Sequence, residues 1–294
     1  MDKVKLRTFE FCAGVGMQFR GIQNTKCFEP ESVGISEIDI DAIISYAAIH
    51  CGLTEEMVDN YDAYPTSSEM RQYLTDLNIG YVPEKDKQYN WMKSGKAFER
   101  KVKKVWLACM LSKNYGDVSR IERMPKADLW FLSFPCQSIS NAGKMDGIAE
   151  GSGTRSSLVW ETIRLLRVAK ETDMLPSYMM LENVKALVNK HFLKDFDRFN
   201  KLIEDEFGFT VRWKVLNGLE CGVPQNRERV FAIYIRKDID TGKFEFPQPF
   251  DNGIRLNDIL AHEVGDEYYL NGESVQKMID ALIIDERLNE YLNE

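Results

Sequence analysis

The chain of 294 residues is long enough to bury a sizeable core, in one large domain or two. Its composition, 44% hydrophobic and 29% charged, is that of a globular protein, with no apolar run near the roughly 20 residues of a membrane helix. The net charge of −8 argues mildly against a nucleic-acid partner, because phosphate binding usually needs excess Lys and Arg, although a basic surface could be local or lie on another polypeptide.

Cysteine and histidine spacing gives no sign of a metal site. The cysteines stand at positions 12, 27, 51, 109, 136 and 221, without a Cys-x-x-Cys pair, and no His lies at ligand spacing from another. We therefore predict neither a metal nor disulfides. The first seven residues carry charges but no apolar signal region after them, so we expect a cytoplasmic protein.

The first predicted strand, residues 6–12, leads into a glycine turn at Phe11 to Gly16. Such a turn lets a ligand approach the backbone closely, although roughly half of Gly-x-Gly pairs are plain turns. The dinucleotide pattern needs a third glycine where this chain has Phe19, which disfavours a nicotinamide site.

The second predicted strand, residues 32–39, contains Glu37 near its end. An acid about 20 residues past a glycine turn can accept hydrogen bonds from ribose hydroxyls. The alternative is an acid at a helix N-terminus, stabilised by the helix dipole. That alternative fits Asp39 and Asp41 better, because residues 42–50 read as a helix.

Residues 53–114 are predicted to form a mostly helical insertion. Their basic run, residues 93–104, has aromatic residues nearby, a combination that could touch DNA. A solvated helix face is favoured, because Lys stems commonly lie over apolar surface. Asp117 then precedes the next strand. The alternative to a functional role for this acid is that it is an ordinary turn residue.

The third predicted strand, residues 128–134, leads into the stretch Phe134 to Gln137, which contains Cys136. Open α/β sheets place their chemistry at the C-terminal ends of strands, and a thiolate there can act as a nucleophile. A lone cysteine is more often buried and inert. The polar, glycine-rich loop that follows, residues 138–154, has a size and composition typical of functional loops.

A fourth predicted strand, residues 177–181, ends in Glu182 and Asn183. Burial can raise the pKa of such a carboxyl until it carries a proton near neutral pH. The alternative is that this pair caps the following helix. A helix over residues 192–207 and a strand over residues 209–216 come next.

Gln225, Arg227 and Arg229 lead into a strand over residues 230–235. Alternation predicts that the three side chains share one face. Arg side chains presented together suit an anion or a carbonyl oxygen, and a charged surface strand is the alternative.

In order and spacing, the glycine turn, the Cys136 stretch, Leu181 to Val184 and Gln225 to Arg229 resemble the motifs of the cytosine-C5 methyltransferase family. The resemblance runs from Thr8 to about Leu270. It implies an α/β, Rossmann-like fold, with a mostly parallel twisted sheet and helices on both faces. We expect a catalytic domain over residues 1–270, including the insertion, and a helical tail over residues 271–294.

The resemblance also implies S-adenosylmethionine as cofactor, with Glu37 at the ribose and Asp117 at the adenine amino group. Cys12 stands where the family usually has Phe, and Met17 where it often has Gly, which could alter cofactor packing. The residues that it places at the cofactor are Phe11, Cys12, Gly14, Gly16, Glu37, Ile38, Asp117, Val118 and Pro135.

For catalysis, the resemblance assigns Cys136 to attack on C6 of cytosine, and Glu182 to a hydrogen bond or proton at N3. Arg229 would steady O2, with Arg227 in support, and C5 would then take the methyl group. The base must leave the duplex stack to be reached. The implied substrate-binding residues are Gln137, Ser138, Ser140, Asn183 and Gln225.

Duplex DNA is the partner that the resemblance implies, in a bacterial or phage restriction-modification or self-protection system. Family members continue with a DNA-reading region and two further motifs, for which the sequence after residue 270 leaves no room. We therefore expect the catalytic part of a split or truncated enzyme, with a second polypeptide carrying those regions. A tRNA cytosine-5 methyltransferase, a non-catalytic methyltransferase-like subunit and, more distantly, a dehydrogenase are the alternatives.

Overall fold

The computed structural model describes residues 3–82, 85–136, 139, 155–261, 263–265, 268, 272–273, 275–277 and 280. At its centre lies a six-stranded sheet. Its strands are β1 (Val4–Phe11), β2 (Phe28–Ser36), β3 (Leu129–Leu132), β4 (Tyr178–Val184), β5 (Phe209–Asn217) and β6 (Glu228–Arg236).

The strand order is β2-β1-β3-β4-β6-β5. β1, β2, β3 and β4 pair in parallel, and β6 is antiparallel to both of its neighbours. The mostly parallel sheet predicted from the sequence is therefore confirmed. Every residue of β3 is buried, as expected for a central strand that is covered on both faces.

The helices are α1 (Met17–Gln23), α2 (Ile40–Cys51), α3 (Glu55–Asn60), α4 (Ser67–Asp76), α5 (Lys96–Leu111), α6 (Glu161–Glu171), α7 (Leu193–Phe207) and α8 (Leu256–Ile259). Short 3₁₀ turns cover Val118–Arg120, Arg155–Trp160, Lys185–Val188 and Gly218–Glu220. The expected tail over residues 271–294 lies largely outside the described residues.

Strand alternation sends apolar side chains to both faces of the sheet. Trp130 and Leu132 of β3 pack into a cluster that contains the apolar stripes of α6 and α7. Leu129 and Phe131 of the same strand point to the opposite face, where Ile22 of α1 packs against their cluster. Helices thus cover both faces, as the sequence predicts.

Side-chain caps fix the starts of α2 and α4. Asp39 accepts a hydrogen bond from the Ala42 N–H at 2.8 Å and so begins α2, which confirms the helix-terminus interpretation of this acid. Thr66 and Glu69 form a reciprocal capping box at the start of α4. α2 ends at Gly52, whose φ of 74° terminates the helix in the left-handed region.

The stretch over residues 53–114 carries α3, α4 and α5, which pack with α2 around a second hydrophobic cluster. Basic residues of α5 form ion pairs with acids of α3: Arg100 lies 2.8 Å from both Glu55 and Asp59. Lys101 donates a hydrogen bond to the Tyr89 hydroxyl at 3.0 Å. These partners favour the interpretation of the basic run as a solvated helix face rather than a DNA contact.

A crevice opens at the carboxyl edge of the sheet beside β1. The chain runs from β1 to β2 on one side and returns through α5 to β3 on the other, so the connections leave β1 in opposite directions. Such a switch point is where open α/β sheets bind ligands. The glycine turn and the Cys136 loop follow β1 and β3 at this edge.

One buried hydrogen bond joins β6 to α7, on the face of the sheet that α6 and α7 cover. Tyr234 is fully buried and its hydroxyl donates to Asn200 Oδ1 at 2.8 Å. Replacing Tyr234 by Phe would keep the ring packing and leave the Asn200 oxygen without that donor. We expect Tyr234→Phe to lower the free energy of unfolding by about 1–3 kcal/mol, measured by urea denaturation. Tyr178→Phe, at an exposed position of β4, is the control and should leave the stability unchanged.

Candidate functional site

A cavity of about 230 Å³ occupies the crevice at the switch point. It is lined by Cys12, Ser36, Glu37, Ile38, Gly116, Asp117, Val118, Ser133, Pro135 and Leu158. Six of these residues were predicted at a cofactor: Cys12, Glu37, Ile38, Asp117, Val118 and Pro135. Ser36 and Ser133 were missed, because the predicted strands run past them; in the structure Ser36 ends β2 and Ser133 directly follows β3. A larger cavity of about 590 Å³ lies beside α5, and no predicted site residue lines it.

The glycine turn between β1 and α1 is held by Glu37. The Gly14 N–H donates to Glu37 Oε2 at 2.8 Å, while Oε1 accepts from the N–H groups of Ile38 and Asp39 at 2.8 and 2.9 Å. Gly14 and Gly16 have φ values of 56° and 77°. A Cβ on Gly16 would lie 2.5 Å from a side-chain atom of α2, so this turn requires glycine for space as well as for conformation.

The other predicted residues near the turn divide between the cavity and the core. Asp117 Oδ1 accepts the Ser119 N–H at 3.0 Å, and Oδ2 accepts Asn78 Nδ2–H at 2.7 Å. The turn interpretation of Asp117 is therefore correct, and the same side chain also lines the cavity. The Phe11 ring is buried in the core 5.3 Å from the ring of Trp130, so its place at a cofactor stays a prediction.

The loop after β3 presents Cys136, which is half-buried. Asn183 is 3% exposed, and its Nδ2–H donates to the Phe134 carbonyl at 3.0 Å. Its Oδ1 accepts the Val184 N–H at 2.9 Å. The predicted substrate residue Asn183 thus ties the Cys136 loop to β4. Gln137, Ser138 and Ser140 lie outside the described residues, so their predicted contacts with substrate are untested.

Glu182 lies inside β4, one position after the predicted strand end. Burial raises the pKa of its carboxyl, while the nearby guanidinium groups of Arg229 and Arg227 pull that pKa downward. Arg229 Nε lies 3.2 Å from Glu182 Oε1. The capping interpretation of Glu182 and Asn183 is wrong, because no side chain caps the 3₁₀ turn that follows β4.

The prediction that alternation places Gln225, Arg227 and Arg229 on one strand face is wrong for two of them. β6 begins at Glu228, so the period of two reaches only Arg229. Gln225 and Arg227 lie in the preceding loop. All three nevertheless line one groove of about 370 Å³, together with Val184, Lys185, Ala186, Asn226 and Glu228.

Asn217, at the end of β5, holds the loop that carries Arg227. Its Oδ1 accepts the N–H groups of Leu219 and Arg227, both at 3.1 Å, and its Nδ2–H donates to Asn226 Oδ1 at 2.8 Å. The role of Asn217 is not visible in the sequence, because Asn226 and Arg227 become its neighbours only when β5 and β6 pair.

The arrangement places the Cys136 thiol, the Glu182 carboxyl with its raised pKa and the Arg229 guanidinium at one edge of the sheet. The cavity beside them is lined by two acids, Glu37 and Asp117. In the part of the chain that the structure describes, no group of three His, Cys, Asp or Glu side chains could hold a metal ion. Among the same residues, no helix has the length and apolar character needed to cross a membrane.

The sequence matches the model of one protein family, C-5 cytosine-specific DNA methylase, over residues 93–287. It is 39% identical over 272 residues to the type II methyltransferase M2.ScrFI of Lactococcus lactis subsp. cremoris, an alignment that covers 92% of this chain and 71% of the relative. It is 33% identical over 234 residues to the orphan methyltransferase M.SssI of Spiroplasma monobiae, covering 78% of this chain and 59% of that protein.

Solved methyltransferases share the fold at low sequence identity. The Dnmt2 methyltransferase of S. pombe aligns with a TM-score of 0.51 and 16% identity, over 93% of this chain and 65% of its own. The methyltransferase EhMeth of Entamoeba histolytica gives 0.53 and 12%, over 92% and 64%. The chain therefore spans a little less than two thirds of these structures, and the agreement with them concerns the fold alone.

The Glu182 carboxyl should titrate at a higher pH when its cationic neighbour is removed. We expect Arg229→Met to raise the pKa of Glu182 further, because the guanidinium lowers it in the native protein. Arg227→Met should have a smaller effect in the same direction. The titration is followed by ¹³C NMR of Glu-labelled protein, with the signal assigned through Glu182→Gln.

Lys185→Met is the matched control for this titration. Lys185 lines the same groove, and its Nζ lies 2.8 Å from both carboxylate oxygens of Glu228. Its removal should leave the Glu182 midpoint in place. A Glu182 midpoint that falls or stays constant in Arg229→Met would contradict the assigned electrostatics.

Proposed function

The chain belongs to the C-5 cytosine-specific DNA methylase family, whose members use S-adenosylmethionine as methyl donor, and we propose that it methylates C5 of cytosine in duplex DNA. The observation that carries this proposal is the contact of 3.2 Å between Arg229 Nε and Glu182 Oε1. Beside it lies the Cys136 loop, joined to β4 by the Asn183 hydrogen bond. These groups match what the reaction needs: a nucleophile for C6, a proton or hydrogen bond at N3 and a cation at O2.

Cytosine C5 is a poor nucleophile until a thiolate adds to C6. In our proposal the Cys136 sulfur forms a bond to C6, and the electron pair of the ring moves toward N3 and O2. A proton or hydrogen bond at N3 and a cation at O2 then stabilise the developing charge. Glu182 supplies the first, because burial favours its protonated form, and Arg229 supplies the second, with Arg227 in support.

The activated C5 takes the methyl group, which S-adenosylmethionine supplies when it is bound. The C5 proton then passes to water, and its bonding electron pair restores the double bond between C5 and C6 as the sulfur leaves C6 as the thiolate. A proton placed on N3 returns to Glu182. The ring must be attacked from its face, so the cytosine has to leave the base stack. Asn183 contributes by fixing the loop that carries Cys136.

The cavity at the switch point fits the cofactor. A carboxylate has about four lone-pair sites, of which Glu37 uses three on the N–H groups of Gly14, Ile38 and Asp39. The remaining site suits a ribose hydroxyl. Asp117 likewise spends three sites on Ser119 and Asn78, which leaves one on Oδ2 for an adenine amino group.

The relatives, which are named as type II and orphan methyltransferases of bacteria, support a proposal for the biological setting. We propose restriction-modification or self-protection in the cytoplasm, where the DNA substrate is found. A second polypeptide for DNA reading stays a prediction of the sequence.

A covalent trap tests the role of Cys136. In duplex DNA that contains 5-fluorocytosine, the last step would require loss of fluorine in place of a proton, so the adduct on C6 should persist. With S-adenosylmethionine present, we expect a complex that survives denaturing electrophoresis. Cys136→Ala should abolish both this complex and labelled methyl transfer.

Cys221→Ser is the matched control, because this half-buried cysteine lies close to the predicted substrate residue Gln225 in the chain. The variant should form the complex as the native protein does. A complex that persists in Cys136→Ala, or disappears in Cys221→Ser, would remove Cys136 from the nucleophile role.

Competition between nucleic acids separates the proposed substrate from the RNA alternative. Transfer of labelled methyl groups to mixed-sequence duplex DNA should be insensitive to added tRNA, and tRNA alone should not be labelled. The product is hydrolysed to nucleosides, where 5-methyldeoxycytidine is expected. Label recovered in 5-methylcytidine would show that RNA is the substrate.

A further inference from the structure

Three polar side chains, Glu10, Tyr46 and His50, pack against the glycine turn and the start of α1. Glu10 of β1 is 2% exposed, and Tyr46 of α2 is fully buried. His50, one helical turn after Tyr46, is half-buried, with its ring 4.7 Å from the Tyr46 ring. None of the three lines the cavity. Any effect that they have on a bound cofactor is therefore indirect.

Glu10 holds the start of α1. Gly16 is the N-cap of this helix and has no side chain to accept from the free N–H groups of the first turn. Glu10 Oε1 takes that place, accepting from the Phe19 N–H at 3.1 Å. Glu10 Oε2 accepts from the Tyr46 hydroxyl at 2.8 Å. Tyr46 thus fixes the carboxylate that fixes the helix start.

His50 contacts the middle of the turn. Its Nε2 lies 3.0 Å from the Val15 carbonyl oxygen, between the two glycines. The fit beneath Gly16 is close: a Cβ there would lie 2.5 Å from His50 Nε2 and 2.6 Å from the Tyr46 ring. The His50 and Tyr46 rings thus block, by steric contact, any movement of the turn toward α2.

The Tyr46 hydroxyl is the feature that packing alone does not explain. A Phe at position 46 would fill nearly the same volume, but it could not donate a hydrogen bond to Glu10. That bond matters because a buried carboxylate is costly unless it is hydrogen-bonded. Burial raises the pKa of Glu10 to about 7, and the bonds from Tyr46 and Phe19 favour its ionised form. The hydroxyl therefore helps to keep Glu10 in the state that accepts the Phe19 N–H.

We propose that Tyr46 and His50 are positioning residues for S-adenosylmethionine, acting through Glu10 and Val15 on the backbone of the Gly14–Gly16 turn. The inference rests on the proposed function, since it assumes that the cofactor docks against this turn. It assigns the first helix after β2 a part in cofactor affinity, although that helix supplies no cavity-lining side chain. Its residues should affect binding of the cofactor and not the chemical step.

Tyr46→Phe tests the proposal by isothermal titration of the native chain and the variant with S-adenosylmethionine. The variant loses the hydrogen bond from Tyr46 to the Glu10 carboxylate. Because only part of that loss should reach the cofactor through the turn, we expect the Kd for S-adenosylmethionine to rise about tenfold. KM for the cofactor should rise in parallel, with kcat unchanged at saturation. Exchange of the Phe19 amide hydrogen should become faster while the amides of β3 and β4 stay protected.

His50→Leu is the second variant, for the case in which Tyr46→Phe does not fold. His50 is half-buried, so the change should leave the fold intact, and Kd should rise through loss of the Val15 contact. Tyr73→Phe, on α4 and away from the turn, is the matched control and should bind as the native chain does. An unchanged Kd in either folded test variant would overturn the positioning role while leaving the proposed function in place. Absence of cofactor binding by the native chain would instead overturn the proposed function.

Discussion

Parallel pairing of β3 between β1 and β4 decides where every candidate group of this protein lies. Because the three strands point the same way, the glycine turn after β1, the Cys136 loop after β3 and Glu182 of β4 come to one edge of the sheet. The antiparallel strand β6 begins at this edge, where its second residue, Arg229, pairs with Val184. Gly14 and Arg229, which are 215 positions apart in the chain, are thereby brought to the same edge of the sheet.

The acids of the site carry different roles because their surroundings differ. Glu37 and Asp117 accept hydrogen bonds from backbone and side-chain donors, and both line the cavity. Glu182 pairs with Phe231 across the ladder and has the guanidinium groups of Arg229 and Arg227 nearby, and burial is the largest influence on its pKa, which it raises. The same type of side chain is thus a hydrogen-bond acceptor beside the cavity and, in the proposed function, a proton carrier in β4.

The sequence predicted what depends on local signals. Strand ends, the glycine turn and the Asp39 helix cap are set by residues within a few positions of one another, and the structure has them close to the predicted places. Six residues of the predicted cofactor set line the cavity, because strand ends fix the edge of a parallel sheet. The family resemblance supplied the roles that spacing could not.

What the sequence could not give depends on pairing between distant strands. The start of β6 at Glu228 is set by its ladder with β4 and β5, so periodicity misplaced Gln225 and Arg227. The bond from Asn183 to the Phe134 carbonyl exists only because β3 and β4 are neighbours. Tyr46 and His50 appeared as ordinary helix residues, because the carboxylate and the turn that they contact belong to other elements.

α2 belongs to two cores at once, since Tyr46 faces the glycine turn while Ile43 and Ala47 pack with α4 and α5. Local opening of the segment over residues 53–114 would therefore remove support from α2 and from the turn above it. We therefore expect residues 53–114 and the glycine turn to open together rather than independently. By linkage, a ligand held at the turn stabilises helices that it never touches.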